Sequence, residues 1–320
     1  MMVRGKGLSS TMTISNADEA TRMTDVDAVL SRLSAIRKGY INDPYTELFV
    51  GRLSRSQQLP RPPVINRGTH IRTYAIDNII EQFLSQTSRA QIISLGSGSD
   101  TRFWRCSDDA RIAKYIEIDF DEVTSKKIMH IRKSDSLSAR LGEQVSVEAG
   151  GSKLVSPRYT LLPADLRSVD IGAIIAPYAE LSAPTLVLSE CVFVYMPLEA
   201  SDRILTYFGR AFEDIMVLVY EMASVDDQFG QIMLRNLKAR GVELPGMSAY
   251  DGHRFTSAGF AISDAKNLEY LRNQLVTPQE KDRIAKLEFL DEVEELSLIL
   301  RHYTLSWGIK STKKTINVHV

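Results

Sequence analysis

The chain has 320 residues, which is enough for one large α/β domain with additions or for two small domains. Its formal net charge is −1, so it lacks the basic surplus that nucleic-acid binding through phosphate contacts requires. No apolar run reaches the ~18 residues of a membrane helix, and two cysteines cannot form a disulfide framework. We expect a cytoplasmic monomer that binds neither nucleic acid nor membrane.

The N-terminal part of the chain is predicted to be a polar tail followed by a helical cap. Residues 1–24 are rich in Ser and Thr and predict a disordered tail. A helix is predicted from Asp25, because apolar residues recur after it at helical spacing. These residues are Val26, Val29, Leu33 and Ile36. A second, long helix is predicted over 69–85. We expect residues 25–88 to form a helical cap on a single domain that spans 25–320.

Strands and helices alternate through the middle of the chain. Strands are predicted over 91–95, 114–119, 159–162, 185–190 and 215–221. Helices are predicted from about residue 101 and over 121–133, 168–180 and 197–212. This alternation predicts an α/β fold with a mostly parallel sheet and helices on both of its faces.

Three further segments interrupt or follow that alternation. The polar segment 134–157, rich in Gly and Ser, is predicted to be a mobile surface insertion. A helical insertion within about 224–255 is predicted to form a lid. Closing strands are predicted over 260–267 and 301–307, joined through one acidic helix over 278–300.

The most informative stretch is Gln91-Ile-Ile-Ser-Leu-Gly-Ser-Gly-Ser-Asp100. Its apolar strand breaks into Gly96 and Gly98, which allow a sharp turn and a close approach to a ligand. Dinucleotide sites usually carry a third glycine, and Thr101 stands at that position. A cofactor without phosphates does not need that glycine, so S-adenosylmethionine (SAM) fits better than a nicotinamide or flavin. Taken alone, the two glycines are also typical of an ordinary strand-to-helix turn.

Three acidic residues, Asp119, Asp165 and Glu190, stand at the carboxyl ends of predicted strands. Ligands of open α/β sheets bind beyond these ends. On one SAM molecule, Asp119 could accept from the ribose hydroxyls, Asp165 from the adenine amino group, and Glu190 could lie near the cationic tail. Each acid alone could instead cap the following helix. Together they favour a ligand site.

Arginine and tyrosine residues supply further candidates. An arginine beside such a crevice can hold a carboxylate through two hydrogen bonds, although the spacing of Arg67 and Arg72 alone better fits a solvated helix surface. Arg32, in the first predicted helix, is weaker still. Tyr195 could donate to a substrate carboxylate or pack in the core. The five histidines show no metal-type spacing.

Two stretches of the chain are specific enough to suggest a family. They are Ser189-Glu-Cys-Val-Phe-Val-Tyr-Met196 and Asp227-Gln-Phe-Gly-Gln-Ile-Met233. Further matching motifs are Arg37–Tyr45, Ile65–Arg72, Leu95–Trp104, Ala164–Arg167 and Phe289–Glu295. Over about Asp25 to Trp307, the chain resembles the leucine carboxyl methyltransferase family. Its members use SAM to methylate the C-terminal leucine of type 2A protein phosphatase catalytic subunits.

The resemblance implies a class I, Rossmann-like SAM-dependent methyltransferase fold and a set of cofactor contacts. By motif, these contacts fall on Arg72, Gly96, Asp119, Asp165, Leu166 and Glu190. The resemblance makes Arg72 the partner of the methionine carboxylate of SAM. Arg32 stands where a lysine looks usual in the family and would do similar work with different geometry.

The resemblance also implies the reaction. A C-terminal carboxylate has a pKa near ~3.5, so at pH 7 it is an anion that needs no general base. We therefore expect methylation of the phosphatase's C-terminal leucine, with Arg72 and Tyr195 as the candidate catalytic residues. The alternatives are a SAM-dependent O-methyltransferase acting on a small molecule or a modified tRNA base and, less favoured, a nicotinamide-dependent oxidoreductase.

Overall fold

The computed structural model of the protein describes residues 9–51, 57, 59–223, 225–247, 252–312 and 316–320, with side chains from residue 18 onward. Its strands are β1 Ala90–Leu95, β2 Ile112–Asp119, β3 Ser146–Glu148, β4 Lys153–Val155, β5 Tyr159–Pro163, β6 Thr185–Glu190, β7 Ile215–Met222, β8 Ile262–Asn267 and β9 Tyr303–Lys310. Its α-helices are α1 Ser9–Arg37, α2 Pro63–Gln86, α3 Arg102–Cys106, α4 Asp121–Lys133, α5 Asp135–Ser138, α6 Ile171–Ile175, α7 Leu198–Ala211, α8 Gln228–Ala239, α9 Gly252–Ala258, α10 Leu268–Leu275, α11 Pro278–Ala285 and α12 Val293–Arg301. Among these residues, no helix combines the length and the apolar content that crossing a bilayer requires.

The strands form one sheet in the order β3-β4-β5-β2-β1-β6-β7-β9-β8. The five central strands, β5, β2, β1, β6 and β7, are parallel. Antiparallel pairing adds β9 and β8 at one edge and the β3–β4 hairpin at the other. After β1 the chain continues to β2 on one side, and after β6 it continues to β7 on the other. A crevice therefore lies at the carboxyl ends of β1 and β6. The predicted α/β fold with a mostly parallel sheet is confirmed.

Helices cover both faces of the sheet, because successive residues of a strand point to opposite sides. Ile92 packs in the layer that contains α2, α10 and α12, whereas the next residue, Ile93, packs with α6, α7 and α9. Both β1 and β7 are buried along their whole length. Burial on two faces explains why these strands are mostly apolar on both sides rather than alternating between apolar and polar residues.

The first helix is longer than the sequence predicts. Because α1 begins at Ser9, the disordered tail predicted over residues 1–24 is wrong from that residue onward, while residues 1–8 lie outside the described part. A distant contact holds this polar stretch, since Asp18 Oδ1 lies 2.6 Å from Nη1 of Arg167. Nothing in the local composition signals a partner that lies 149 positions away.

Residues 134–157 also contain regular structure that the sequence does not predict. The segment includes α5 and the β3–β4 hairpin, and it extends the sheet beyond β5. Leu154 pairs with Leu161 across this edge and is fully buried. Leu154 is the one buried residue of the two short strands, which is too weak a pattern to predict a strand.

The C-terminal helices are shorter than predicted. The acidic helix predicted over 278–300 is divided into α11 and α12, with Glu288 in the link. There the Glu288 carboxylate accepts a hydrogen bond of 2.8 Å from Nδ2 of Asn66 in α2, so the chain turns toward α2.

In the middle of the chain, the helix predicted over 168–180 is also shorter in the structure. It is reduced to α6, because the Asp170 side chain caps a later first turn. The sequence does not predict α9 or α10.

A buried ion pair ties α4 to the sheet. Nζ of Lys127 lies 2.5 Å from Oε2 of Glu117, and the same carboxylate oxygen accepts a 2.8 Å hydrogen bond from the hydroxyl of Tyr159. Lys127 also donates to the carbonyl of Asp100, which follows the glycine turn, at 2.9 Å. Burial raises the pKa of Glu117, and the Lys127 ammonium opposes that rise. Lys127 thus connects the end of the glycine turn to β2.

Replacing Lys127 with Met should lower the free energy of unfolding by about 3 kcal/mol, because it leaves the Glu117 carboxylate buried without its counterion. Urea denaturation would measure the change. The deficit should grow as pH rises, since the unpaired carboxyl must be protonated to remain buried. Lys126→Met is the matched control on the exposed face of α4 and should change stability by no more than about 0.5 kcal/mol. Equal losses in the two variants would contradict this account.

Candidate active site

A cavity of about 450 Å³ opens at the carboxyl ends of β1, β2 and β6. Turns after these strands and after β5 form its floor, and α1 and α2 contribute the facing wall. The lining includes nine residues predicted from the sequence, but not Arg67: Arg32, Arg72, Gly96, Gly98, Asp119, Asp165, Leu166, Glu190 and Tyr195. The fold therefore brings these nine residues to one cavity.

The turn after β1 needs both of its glycines. Gly96 and Gly98 have φ angles of +55° and +45°. A Cβ on Gly96 would lie 2.6 Å from Cγ2 of Val192, and one on Gly98 would overlap the carboxylate of Asp25. That carboxylate accepts hydrogen bonds of 2.8 Å from both N and Oγ of Ser99. The turn is thus closely packed by its neighbours, and its backbone faces the cavity.

Asp119 ends β2 directly beside this turn. Its Oδ2 accepts a 2.7 Å hydrogen bond from the backbone N–H of Gly98, and its Oδ1 accepts one of 2.7 Å from that of Phe120. Burial raises the pKa of Asp119 to about 6, although these two hydrogen bonds oppose the rise. A carboxylate has about four acceptor positions, so two remain for paired donors such as ribose hydroxyls.

Asp165 and Leu166 follow β5 on the other side of the cavity floor. Arg167 binds both oxygens of Asp165, with Nε 2.9 Å from Oδ1 and Nη2 2.6 Å from Oδ2. Burial alone would raise the pKa of Asp165, but hydrogen bonds from Arg167 outweigh it and lower the pKa. Leu166 is buried and supplies apolar surface. An adenine amino group bound here would share the carboxylate with Arg167.

Glu190, at the end of β6, bridges two arginines. Its Oε1 lies 2.5 Å from Nε of Arg72, and its Oε2 lies 2.6 Å from Nη1 of Arg102. Although burial favours the neutral acid, the guanidiniums of Arg102 and Arg72 hold the pKa of Glu190 well below its usual range. Glu190 is therefore an anion that orients both arginines.

Arg72 is held so that one end of its guanidinium remains available. Its Cζ lies 4.6 Å from the centre of the Tyr220 ring, which adds a cation–π contact. Its Nε is engaged by Glu190, and no described residue accepts a hydrogen bond from its Nη atoms. Two parallel Nη donors are suited to binding a carboxylate.

Arg32 reaches the cavity from α1. Its Nε lies 3.0 Å from Oδ2 of Asp43, and its Nη1 donates to Oγ1 of Thr73 at 3.2 Å. Its Nη2 is buried and has no hydrogen-bond partner among the described residues. A buried donor without a partner is costly, so a ligand acceptor at this position would be stabilising.

Tyr195 and Cys191 line the cavity in the turn after β6. Burial raises the pKa of Tyr195 above its usual range, and burial also raises the pKa of the Cys191 thiol to about 12. Neither side chain is ionised near neutral pH, so each can donate a proton in a hydrogen bond but cannot act as a base.

Sequence reasoning missed Arg102. Besides Glu190, this buried arginine binds Oδ1 of Asp77 and Oδ2 of Asp100, each at 2.9 Å. Arg102 lies inside the motif Leu95–Trp104, which matches the family. Its contact with Glu190 cannot be predicted from that motif, because Glu190 is 88 positions further along the chain and no local pattern links the two residues.

The donor and acceptor set fits an adenosine cofactor with an amino-acid tail. The glycine backbone allows a close approach, Asp119 offers acceptors, and Arg32 and Arg72 offer donors for a carboxylate. In the described part of the chain, no group of His, Cys, Asp and Glu residues is arranged to hold a metal ion. The residues present therefore fit SAM.

The sheet and the cavity define the class I methyltransferase fold. A Thermobifida fusca protein described as a methyltransferase has a similar structure, with a TM-score of 0.51 and 14% identity over 77% of this chain and 83% of that one. A Streptomyces avermitilis protein matches with a TM-score of 0.50 and 11% identity over 78% of this chain and 86% of that one. At such identities the likeness shows the fold alone.

Sequence comparison identifies the family. The family described as leucine carboxyl methyltransferase matches residues 20–209. Leucine carboxyl methyltransferase 1 of Cryptococcus neoformans is 40% identical and covers 92% of this chain and 94% of its own. The Schizosaccharomyces pombe and Rattus norvegicus proteins of that name are 35% and 34% identical, covering 89% and 92% of this chain and 93% and 90% of their own. The chain belongs to the leucine carboxyl methyltransferase family, which confirms the resemblance and makes it a SAM-dependent carboxyl methyltransferase.

Gly96→Ala should raise the dissociation constant for SAM about tenfold or more, because the new Cβ meets Val192 and alanine is strained at this φ. Isothermal titration calorimetry would measure the change. The double variant Gly96→Ala, Val192→Ala removes the 2.6 Å contact and should recover part of the affinity. Gly51→Ala, whose Cβ would meet no described atom within 4 Å, is the control. Wild-type affinity in the single variant would rule out this role for the turn.

Proposed function

We propose that the protein transfers the methyl group of SAM to the α-carboxylate of the C-terminal leucine of the type 2A protein phosphatase catalytic subunit. Family membership supports a leucine carboxylate as the acceptor. The observation that carries the proposal is that the cavity offers cationic donors for an anion, whereas its thiol and phenol groups cannot deprotonate an acceptor. No histidine occurs among the described lining residues, and the Cys191 thiol and the Tyr195 phenol stay protonated.

A carboxylate acceptor needs no base. With a reference pKa near ~3.5, it is already an anion at neutral pH. Bound SAM would supply a methyl group on a positively charged sulfur. A carboxylate oxygen forms the new bond to the methyl carbon as the carbon–sulfur bond breaks, and that electron pair stays on sulfur. The products are a methyl ester and S-adenosylhomocysteine (SAH), and no proton is transferred.

The residues of the chain would contribute alignment and desolvation. Arg72 and Arg32 point donors into the cavity, where they would fix the carboxylate of the SAM tail. Tyr195 can donate its hydroxyl proton to the acceptor carboxylate. Helix α1 would cover the bound reactants, since its residues from Thr21 to Arg32 line the cavity. Correct orientation of two reactants can account for roughly 7–11 kcal/mol of a barrier.

The proposal is tested by the identity of the acceptor. With radiolabelled SAM, the wild-type protein should label an intact phosphatase catalytic subunit and should not label the same subunit lacking its last residue. The label should be released as methanol at high pH, because a methyl ester hydrolyses there and an N-methyl group does not. An acceptor whose terminal leucine is replaced by alanine tests the side-chain preference. Equal labelling of intact and truncated acceptor would refute the proposal.

Arg72→Ala should weaken SAM binding by about 1.5–3 kcal/mol, or roughly ten- to a hundredfold, because it removes a charge-assisted contact. Calorimetry would give the dissociation constant, and circular dichroism would show whether the fold is intact. Arg67→Ala is the matched control on the same helix, where Nη2 of Arg67 donates to the carbonyl of Glu288 rather than into the cavity. An Arg72 variant that binds SAM as tightly as the Arg67 variant would contradict the assignment.

A further inference from the structure

Glu221, in β7, is a fully buried acid that the reaction itself does not use. Its Oε1 accepts hydrogen bonds from two backbone N–H groups, 3.0 Å from N of Val192 and 2.8 Å from N of Phe193. Its Oε2 is buried and has no hydrogen-bond partner among the described residues. Glu221 does not line the cavity, but the turn that it binds does.

That turn forms one wall of the cavity. It begins at Cys191, whose φ of +58° is unfavourable for a residue with a side chain. A short 3₁₀ helix follows over Phe193–Tyr195, and no side chain of the turn caps its first N–H groups. Within the turn, Val192 packs against Gly96, and Tyr195 faces the cavity.

A neighbouring strand therefore supplies the cap that the turn lacks. The backbone N–H groups at the start of a helix need acceptors, and a carboxylate is a strong one. Cys191 N donates to the carbonyl of Tyr220, so β7 holds the turn through its backbone as well as through the Glu221 side chain. The strained Cys191 conformation persists because these contacts over-determine it.

We propose that Glu221 is a positioning residue of the methyl-transfer site: its carboxylate fixes the Cys191–Tyr195 turn so that Val192 supports the glycine turn and Tyr195 faces the reactants. This inference rests on the proposed cofactor site and not on the identity of the acceptor. Glu221 acts through the turn and touches neither reactant.

Because the charge of Glu221 depends on pH, its role as a positioning residue can be measured as a pH dependence. Burial raises its pKa from 4.5 to about 8, while the N–H groups of the turn and the charge of Arg72 oppose the rise. The titratable groups that face it from the neighbouring elements are Arg72 of α2, Cys191 and Tyr195 of the turn, and Tyr303 of β9. Only Glu221 among them is expected to change charge near pH 8.

Two opposite pH effects follow. Because the folded-state pKa lies above the unfolded value, the folded protein binds the proton more tightly, and the free energy of unfolding falls as pH rises from about 4.5 to about 8. The ionised carboxylate nevertheless caps the turn better than the neutral acid does. Affinity for the cofactor should therefore increase over the same upper range while stability decreases. A residue with a purely structural role would not make cofactor affinity rise while the free energy of unfolding falls.

The experiment measures SAH binding by calorimetry from pH 7 to pH 9.5 in the wild type, Glu221→Gln and Asp214→Asn. Glutamine keeps the size and one acceptor oxygen but cannot ionise. Asp214 immediately precedes β7 at its opposite end, is buried, and accepts from N of Thr312 at 2.8 Å, so it controls for general loss of stability. Native-state hydrogen exchange at the amides of Val192 and Phe193 reports on the turn directly.

In the wild type, the dissociation constant for SAH should fall about three- to tenfold as pH rises through 8. In Glu221→Gln it should be about tenfold higher at pH 9, should lack the wild-type fall through pH 8, and should be accompanied by faster exchange at both amides. Asp214→Asn should keep the wild-type profile. A pH-independent wild type, or a glutamine variant with wild-type affinity at pH 9, would overturn the inference.

The two proposals fail in different ways. A wild-type protein that binds neither SAM nor SAH would remove the proposed cofactor site. Normal binding that does not respond to Glu221 or to pH would remove only the inference about the turn. If the glutamine variant does not fold, the wild-type pH series and the exchange of the Val192 and Phe193 amides still decide the question.

Discussion

The site depends on the carboxylate of Glu190, which is shared between Arg72 and Arg102. Two guanidiniums close together would repel each other, and the anion between them makes the arrangement stable. Arg102 continues the network to Asp77 in α2 and to Asp100 after the glycine turn. One charged cluster therefore fixes the relative positions of α2, the glycine turn and the end of β6. These three elements must be aligned before a cofactor can bind.

The same cavity favours chemistry that needs no proton transfer. Its acids at the strand ends already have partners: Asp119 accepts from two backbone N–H groups and keeps two acceptor positions, Asp165 is bound by Arg167, and Glu190 by two arginines. Its thiol and its phenols are kept neutral by burial. The groups that remain for ligands are the cationic donors of Arg32 and Arg72 and the free acceptor positions of Asp119. Such a site can hold an anionic nucleophile against a methyl donor, and its main contribution is orientation.

The sequence predicts most of the central sheet and the polar residues at its edge, because both depend on local patterns. The buried parallel strands are mostly apolar runs, and the glycine turn follows one of them. Asp119 and Glu190 stand at the ends of two others, and Asp165 follows a third. The sequence does not predict the helix from Ser9, the β3–β4 hairpin or the division between α11 and α12. Each of these depends on a partner far away in the chain, and residue spacing carries no information about such a partner.

By itself, the sequence determined the order of the central strands and the helices between them, the position of the glycine turn and the chemical types available at the carboxyl ends of the strands. These follow from hydrophobic periodicity and from the backbone freedom of glycine, which act over a few residues. Only the tertiary structure decided which groups meet. In the folded protein Glu190 binds two arginines, and the Nη atoms of Arg72 remain available. Glu221 lies beneath the turn after β6 and accepts hydrogen bonds from it. Charge pairing in a buried site acts across space rather than along the chain, so it becomes visible only once the sheet has assembled.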